Sequence, residues 1–252
     1  MGKIISIVNQ KGGVGKTTTS VNLGAYLAHL GKKVLLVDID PQANATSGLG
    51  IEHQKLDKGI YESLIGLKPI FEVIKKTVQD KYQIAPATIS LAGATIELVN
   101  LEHREYRLAN ILNEIRDDYD YIIIDGPPSL GLLTVNSLTA SDEVIIPIQS
   151  EYYALEGLSQ LLETISLVQN HLNPNLGIMG ALITMYDKRN KLSSQIMSEL
   201  YQYFPNRIFR SVIPRSVRLA EAPSYGRSIL HYDPNSRGGK AYDNLAKEIL
   251  TI

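Results

Sequence analysis

The chain of 252 residues contains no cysteine. Disulfides, thiolate-bound zinc and cysteine-ligated iron–sulfur clusters are therefore excluded. No apolar run approaches the roughly 20 residues needed to cross a bilayer. The first residues enter a strand pattern directly, so no signal peptide is expected and a cytoplasmic location is the default. The histidines, His29, His53, His103, His171 and His231, have no ligand spacing, and no zinc site is expected. No Pro/Ser-rich linker divides the chain, so one domain over 1–252 is expected. The net charge of −1 leaves little overall imbalance, but its distribution is uneven: ten basic residues face three acidic ones between Lys188 and Lys240. Such a segment can offer a face to a polyanion.

Against these absences stands one dense stretch, Lys11-Gly12-Gly13-Val14-Gly15-Lys16-Thr17-Thr18. It ends as the phosphate-loop pattern G-x-x-x-x-G-K-[ST] does, but the pattern's first position falls on Gln10. A second lysine, Lys11, stands at the front instead. The β-branched run Ile4-Ile5-Ser6-Ile7-Val8 precedes the loop, and Ser20 to Leu30 has helical spacing. A strand, a glycine loop and a helix N-terminus in that order form an anion site, because successive backbone N–H groups and the helix dipole favour negative charge. Lys16 would reach terminal phosphates, and the Thr17 hydroxyl would complete a Mg²⁺ shell.

The remaining pattern alternates strands with helices. Lys33–Val37 reads as a buried parallel strand ending in Asp38-Ile39-Asp40-Pro41-Gln42, with carboxylates at the sheet edge where α/β proteins bind ligands. Short helices are expected near Tyr61–Leu64 and Ile70–Val78, a strand at Tyr82–Pro86, and helical segments at Leu91–Leu98 and Arg104–Arg116. Tyr121–Ile124 forms a strand ending in Asp125, which matches the second metal-shell element of nucleotide sites. A strand follows at Val144–Ile148, where Pro147 fits the strand's end or an irregularity. Ala154–Asn170 is an amphipathic helix. A strand at Ile178–Met185, a helix at Leu192–Phe204, a last strand at Ile208–Ile213 and a helix from about Gly238 to Leu250 complete the pattern. The fold expected is a doubly wound α/β domain, with a mostly parallel sheet and helices on both faces.

With K-G-G-V-G-K-T-T, D-I-D-P-Q and I-I-D-G-P-P-S in this order, the chain resembles the ParA family of partitioning ATPases, whose phosphate loop is deviant. Glu151 to Gly157 and Val212 to Pro223 also look like that family. The likeness covers nearly the whole chain and is greatest to the short chromosomal, Soj-like type.

The resemblance implies binding of ATP, release of ADP, a Mg²⁺ requirement, and a homodimer with two nucleotides at its interface. Lys11 would then reach the phosphates of the partner's ATP. Asp40 would orient the attacking water and join the metal shell with Thr17 and Asp125. Pro214 and Ser216 would contact adenine, although relatives commonly carry Asn at the second position. Arg189, Arg218 and Lys247 match DNA-binding positions, to which Arg215, Arg207, Arg210, Lys240 and Arg237 are natural additions for gripping duplex phosphates without reading sequence. A ParB-type partner would stimulate hydrolysis on the nucleoid. A MinD-like membrane-cycling ATPase is the main alternative, but the end, Tyr242 to Ile252, carries two acidic residues and one lysine and reads as a helix packed on the body. A metabolic ligase of the same fold is a further one.

Overall fold

A computed structural model describes residues 1–149, 157–187, 200, 202–204 and 207–252. Seven strands form one sheet: β1 (Lys3–Ile7), β2 (Val34–Asp38), β3 (Lys75–Lys76), β4 (Tyr82–Ala85), β5 (Tyr121–Asp125), β6 (Glu143–Gln149) and β7 (Gly177–Thr184). Their order is β3-β4-β2-β5-β1-β6-β7. All neighbours run parallel except β3, which is antiparallel to β4. The helices are α1 (Lys16–His29), α2 (Asn44–Gly48), α3 (Ile60–Leu64), α4 (Ile70–Val73), α5 (Leu91–Leu98), α6 (Arg107–Asn113), α7 (Leu132–Ala140), α8 (Leu158–His171), α9 (Val217–Glu221), α10 (Ile229–Tyr232) and α11 (Arg237–Ile249).

The central strands are apolar on both faces because both are covered. Ile5, Ile7, Leu36 and Ile123 point to a core shared with Leu23, Leu27, Tyr242 and Leu245 of α1 and α11. Their alternates, Ile4, Leu35, Val37, Ile122 and Ile124, point the other way, into a core with Leu91, Leu98, Leu108 and Leu112. A third cluster joins Val144, Ile146 and Ile148 of β6 to Leu158, Leu161 and Ile165 of α8. Period-2 alternation in the strands thus feeds two helical layers. The C-terminal helix does pack on the body: Tyr242, Leu245, Ala246 and Ile249 are buried. Among the described residues, no helix is long and apolar enough to cross a membrane.

Several local expectations need correction. The helix expected over 70–78 stops at Val73, and Lys75–Lys76 form β3 instead. Arg104–Arg116 is not one helix but α6 flanked by 3-10 turns. Helix α7 was not expected; its Thr, Asn and Ser residues mask the apolar period, yet Asn136 and Ser137 are buried and hydrogen-bonded. The segment Ile208–Ile213 is no regular strand. Within it, Ile208 forms a bridge with β7, to Ala181; the other isolated bridge, Tyr186 with Pro214, lies just past the ends of both. Between the two bridges the N–H groups of Arg210 and Ser211 turn to the carboxylate of Glu248, at 2.7 and 2.9 Å; the Ser211 rung is lost, and the next bond to β7 comes from Ile213 N–H to the Ile183 carbonyl at 2.9 Å. Most of the helix expected at Leu192–Phe204, and all of Glu151–Glu156, lie outside the described residues.

Pro147 shows why register matters. Strand β1 pairs with β6 only as far as Ile145, whose carbonyl accepts from Val8 N–H at 3.1 Å. Alternate residues of a strand direct their backbone groups to the same neighbour. Pro147, two residues on, therefore turns its missing N–H toward the side where β1 has already left the sheet.

Candidate nucleotide site

Strand β1 lies between β5 and β6, while the chain leaves it for β2 on the far side of β5. The crevice at such a reversal is where α/β sheets bind ligands. The loop from Gln10 to Gly15 fills its rim. Gly13 and Gly15 have φ of 75° and 90°, a left-handed backbone that suits glycine. Val14 between them is buried, and its carbonyl accepts from the Thr184 hydroxyl at 2.8 Å. Helix α1 begins at Lys16 with no side-chain cap and no acidic residue in its first turn, leaving its first N–H groups open to an anion.

The lysine of the loop is held for a guest. Lys16 is buried, and its Nζ donates to the Lys11 carbonyl at 3.0 Å. Burial lowers its pKa, against the upward pull of Asp125 and Asp40. A desolvated ammonium with a carbonyl in place of a full counterion attracts phosphate strongly. Lys11 itself is half-buried, with its N–H donated to Asn9 Oδ1 at 2.9 Å.

Two carboxylates end neighbouring strands. Asp125 of β5 is in register with Ile7 of β1 and with Asp38 of β2. Ser20 donates to Asp125 Oδ1 at 2.7 Å. Burial raises the Asp125 carboxyl to about 6, while the Ser20 and Thr17 hydroxyls favour its charged form. Its Oδ2 is buried with no hydrogen-bond partner. A buried orphan carboxylate oxygen beside a hydroxyl fits a Mg²⁺ that keeps waters and phosphate oxygens for most of its shell. Among the described residues no group of three or more His, Asp or Glu side chains could hold a metal alone.

Asp38 has a different task. Burial, then the Asp125 charge, pushes its carboxyl up to about 8. It accepts from Asp40 N–H, from Thr46 N–H and from the Thr46 hydroxyl. Asp38 thereby ties down the 40–46 segment, while Asp40 itself lines the cleft and accepts from Gln42 N–H at 3.0 Å.

The cleft holds about 450 Å³ and is lined by Gly12, Gly13, Gly15, Lys16, Thr17 and Thr18 of the loop and helix start and by Asp40. Asn22, Met185, Pro223 and Arg227 also line it. Pro214 and Ser216 are not brought to it. Pro214 instead lines a separate groove of about 1360 Å³ with Tyr186, Arg210, Arg215, Arg237 and Lys240. Ser216 stands before α9. Of the basic positions, Arg218 pairs with Glu221 and Asp233, and Lys247 pairs with Asp243. Arg189 lies outside the described residues. Sequence reading missed Asn9, Ser20, Thr46 and Thr184. Only Ser20 had a signal, since it lies one helical turn after Lys16 on the face turned to the sheet.

Residues 2–178 match a family model described as an AAA domain. The chain is 59% identical to the sporulation initiation inhibitor protein Soj of Bacillus subtilis, over 99% of this chain and 98% of that protein. It is 51% identical to the chromosome partitioning protein ParA of Myxococcus xanthus, over 99% of this chain and 88% of that one. A crystal structure of cobyrinic acid a,c-diamide synthase from Mycobacterium smegmatis, with bound ADP and magnesium, superposes with a TM-score of 0.88 at 38% identity, covering 99% of this chain and 94% of that one. The buried loop lysine, the paired strand-end carboxylates and these full-length relatives together place the chain in the Soj/ParA family of chromosome-partitioning ATPases.

Proposed function

We propose that the chain binds Mg-ATP, pairs with a second copy across two nucleotides, binds duplex DNA without reading sequence, and partitions DNA with a ParB-type partner that stimulates hydrolysis. The observation that carries the nucleotide role is the meeting of Lys16 and Asp40 on one cleft, above a buried Asp125 with a free oxygen. In this reading the amides of Gly12 to Thr18 cradle the phosphates. Lys16 leaves the Lys11 carbonyl to follow the terminal phosphate. Thr17, Asp125 and Asp40 hold the metal, which neutralises charge on the phosphate oxygens. Asp40, which lines the same cleft, orients the attacking water.

Lys11 is absent from the lining of its own cleft and keeps a half-exposed side chain. That supports a reach toward the partner's triphosphate, where a desolvated ion pair is far stronger than in water. For DNA, the support is that Arg210, Arg215, Arg237 and Lys240 line one groove. Lys247 continues the Arg237–Lys240 stripe of α11 at helical spacing. The pairs at Arg218 and Lys247 are exposed and screened by solvent, so phosphates can displace them. A dimer doubles the contacts, which is why tight DNA binding and nucleoid association would need ATP.

The test is a pair of variants, each assayed for ATP-driven dimerisation. Lys16→Ala should lose pairing, and Asp40→Ala should pair and stay paired because hydrolysis stops. Parent-like behaviour of both would reject the assigned roles. A ligase reading has the name of the Mycobacterium neighbour in its favour. ATP turnover that depends on a carboxylic acid, and not on DNA and a partner protein, would select it.

A further inference from the structure

The loop that carries Lys11 is held by a side chain that plays no part in the chemistry above. Asn9 is 8% exposed, and both ends of its amide are engaged. Its Nδ2 donates to the carbonyl of Pro147 at 2.7 Å, and its Oδ1 accepts the N–H of Lys11 at 2.9 Å. The Pro147 carbonyl is open to Asn9 because β1 pairs with β6 only as far as Ile145. Asn9 therefore adds one side-chain rung where the backbone ladder has ended, and that rung ends on Lys11. The other backbone group of Lys11, its carbonyl, accepts from Lys16 Nζ.

We infer that Asn9 is the positioning residue that sets the reach of Lys11 once a triphosphate is bound. The reasoning rests on the reading that Lys11 engages the partner's nucleotide. When phosphate oxygens draw Lys16 away, the Lys11 carbonyl loses its donor. The Asn9 bond then remains to fix the Lys11 backbone to β6. A lysine that must meet a phosphate on another subunit loses much of its effect when its own Cα drifts, since misplacement of a charged group by about 1 Å can cost on the order of a hundredfold in rate. The nucleotide cleft itself is held elsewhere, through Thr184 on Val14, so binding of ADP within one chain does not need Asn9.

The experiment compares Asn9→Ala, Asn9→Ser, Lys11→Ala and the Asn9→Ala/Lys11→Ala double variant in the full chain. Three quantities are read: affinity for a fluorescent ADP, dimer fraction with a non-hydrolysable ATP analogue, and ATP turnover. Asn9→Ala should keep ADP affinity within about threefold of the parent, while its dimerisation falls by about tenfold or more. The double variant should be no worse than Lys11→Ala alone, the non-additivity expected of residues acting through one another. Serine keeps an acceptor for the Lys11 N–H but lacks the Pro147 anchor, so Asn9→Ser should recover part of the dimerisation. It also serves if Asn9→Ala does not fold. Additive losses, an equal fall in ADP affinity, or parent-like dimerisation of Asn9→Ala with Lys11→Ala impaired would overturn the inference while leaving the role of Lys11 intact. Parent-like dimerisation of Lys11→Ala would overturn that role, and the inference with it.

Discussion

Thr46 donates both its amide and its hydroxyl to the same oxygen of Asp38, at 2.8 and 2.7 Å, in a site closed to solvent. The same hydroxyl accepts the N–H of Ala87 at 3.0 Å, so one side chain joins the ends of β2 and β4 to the segment that bears Asp40. Thr46→Val keeps the shape and removes both hydroxyl bonds, leaving a buried amide and part of a carboxylate unpartnered. The expected loss is about 1–3 kcal/mol, read from urea midpoints. ATP turnover should fall more than ADP affinity, because the loosened segment carries the residue assigned to the water.

A second prediction concerns the orphan oxygen of Asp125. Nucleotide with magnesium should raise the thermal midpoint more than nucleotide with EDTA. At a ligand concentration one hundred times Kd the stabilisation is about 2.7 kcal/mol. In a chain of this size that shifts the midpoint by roughly 5–10 °C. Asp125→Asn should lose most of the magnesium-dependent part while retaining a folded baseline. A magnesium increment unchanged in Asp125→Asn would remove this residue from the metal shell.

Two glycines should respond to alanine with opposite signs. Gly226 has φ of 62°, and a Cβ there would stand 2.6 Å from the Cα of Gly50, just beyond α2. Gly226→Ala should cost about 2 kcal/mol or more, from left-handed strain plus the clash. Gly93, inside α5, has nothing within 4 Å of such a Cβ. Gly93→Ala should gain about 0.5–1 kcal/mol, by restricting the unfolded chain. Calorimetric midpoints would show both.

For DNA, the salt dependence discriminates better than affinity. If Arg237 and Lys240 each meet one phosphate, Arg237→Gln and Lys240→Gln should each lower the slope of log affinity against log salt by about 0.9 per bound chain. A double variant with the parent's slope would move the interface away from this groove.

The nucleotide loop was legible because its chemistry is local: strand, glycines, lysine and helix follow one another within about two dozen residues. The sheet was legible for a similar reason, since strands covered on both faces appear as unbroken apolar runs such as Val34–Val37 and Ile122–Ile124. What escaped depends on distance along the chain. Thr184 reaches Val14 across 170 positions, and nothing near either residue announces the bond. Ile208–Ile213 carries a strand's composition, but Glu248, from the last helix, takes the Ser211 N–H that a ladder on β7 would need. Pro214, expected at the adenine from the resemblance, lines the groove with Tyr186 and α11 instead, a placement that needs residues far along the chain.

The same carboxylate has a bearing on behaviour in a crowd. A sheet with open flanks is a template for strands of other molecules, and the danger grows when many copies gather on one polymer. Here one flank is a two-residue strand made of lysines, Lys75 and Lys76. The other meets the segment Ile208–Pro214, whose Arg210 and Ser211 amides Glu248 has claimed. Copies gathered as proposed would therefore meet through side chains and shared ligands, which can let go, and not through a growing β-ribbon, which cannot.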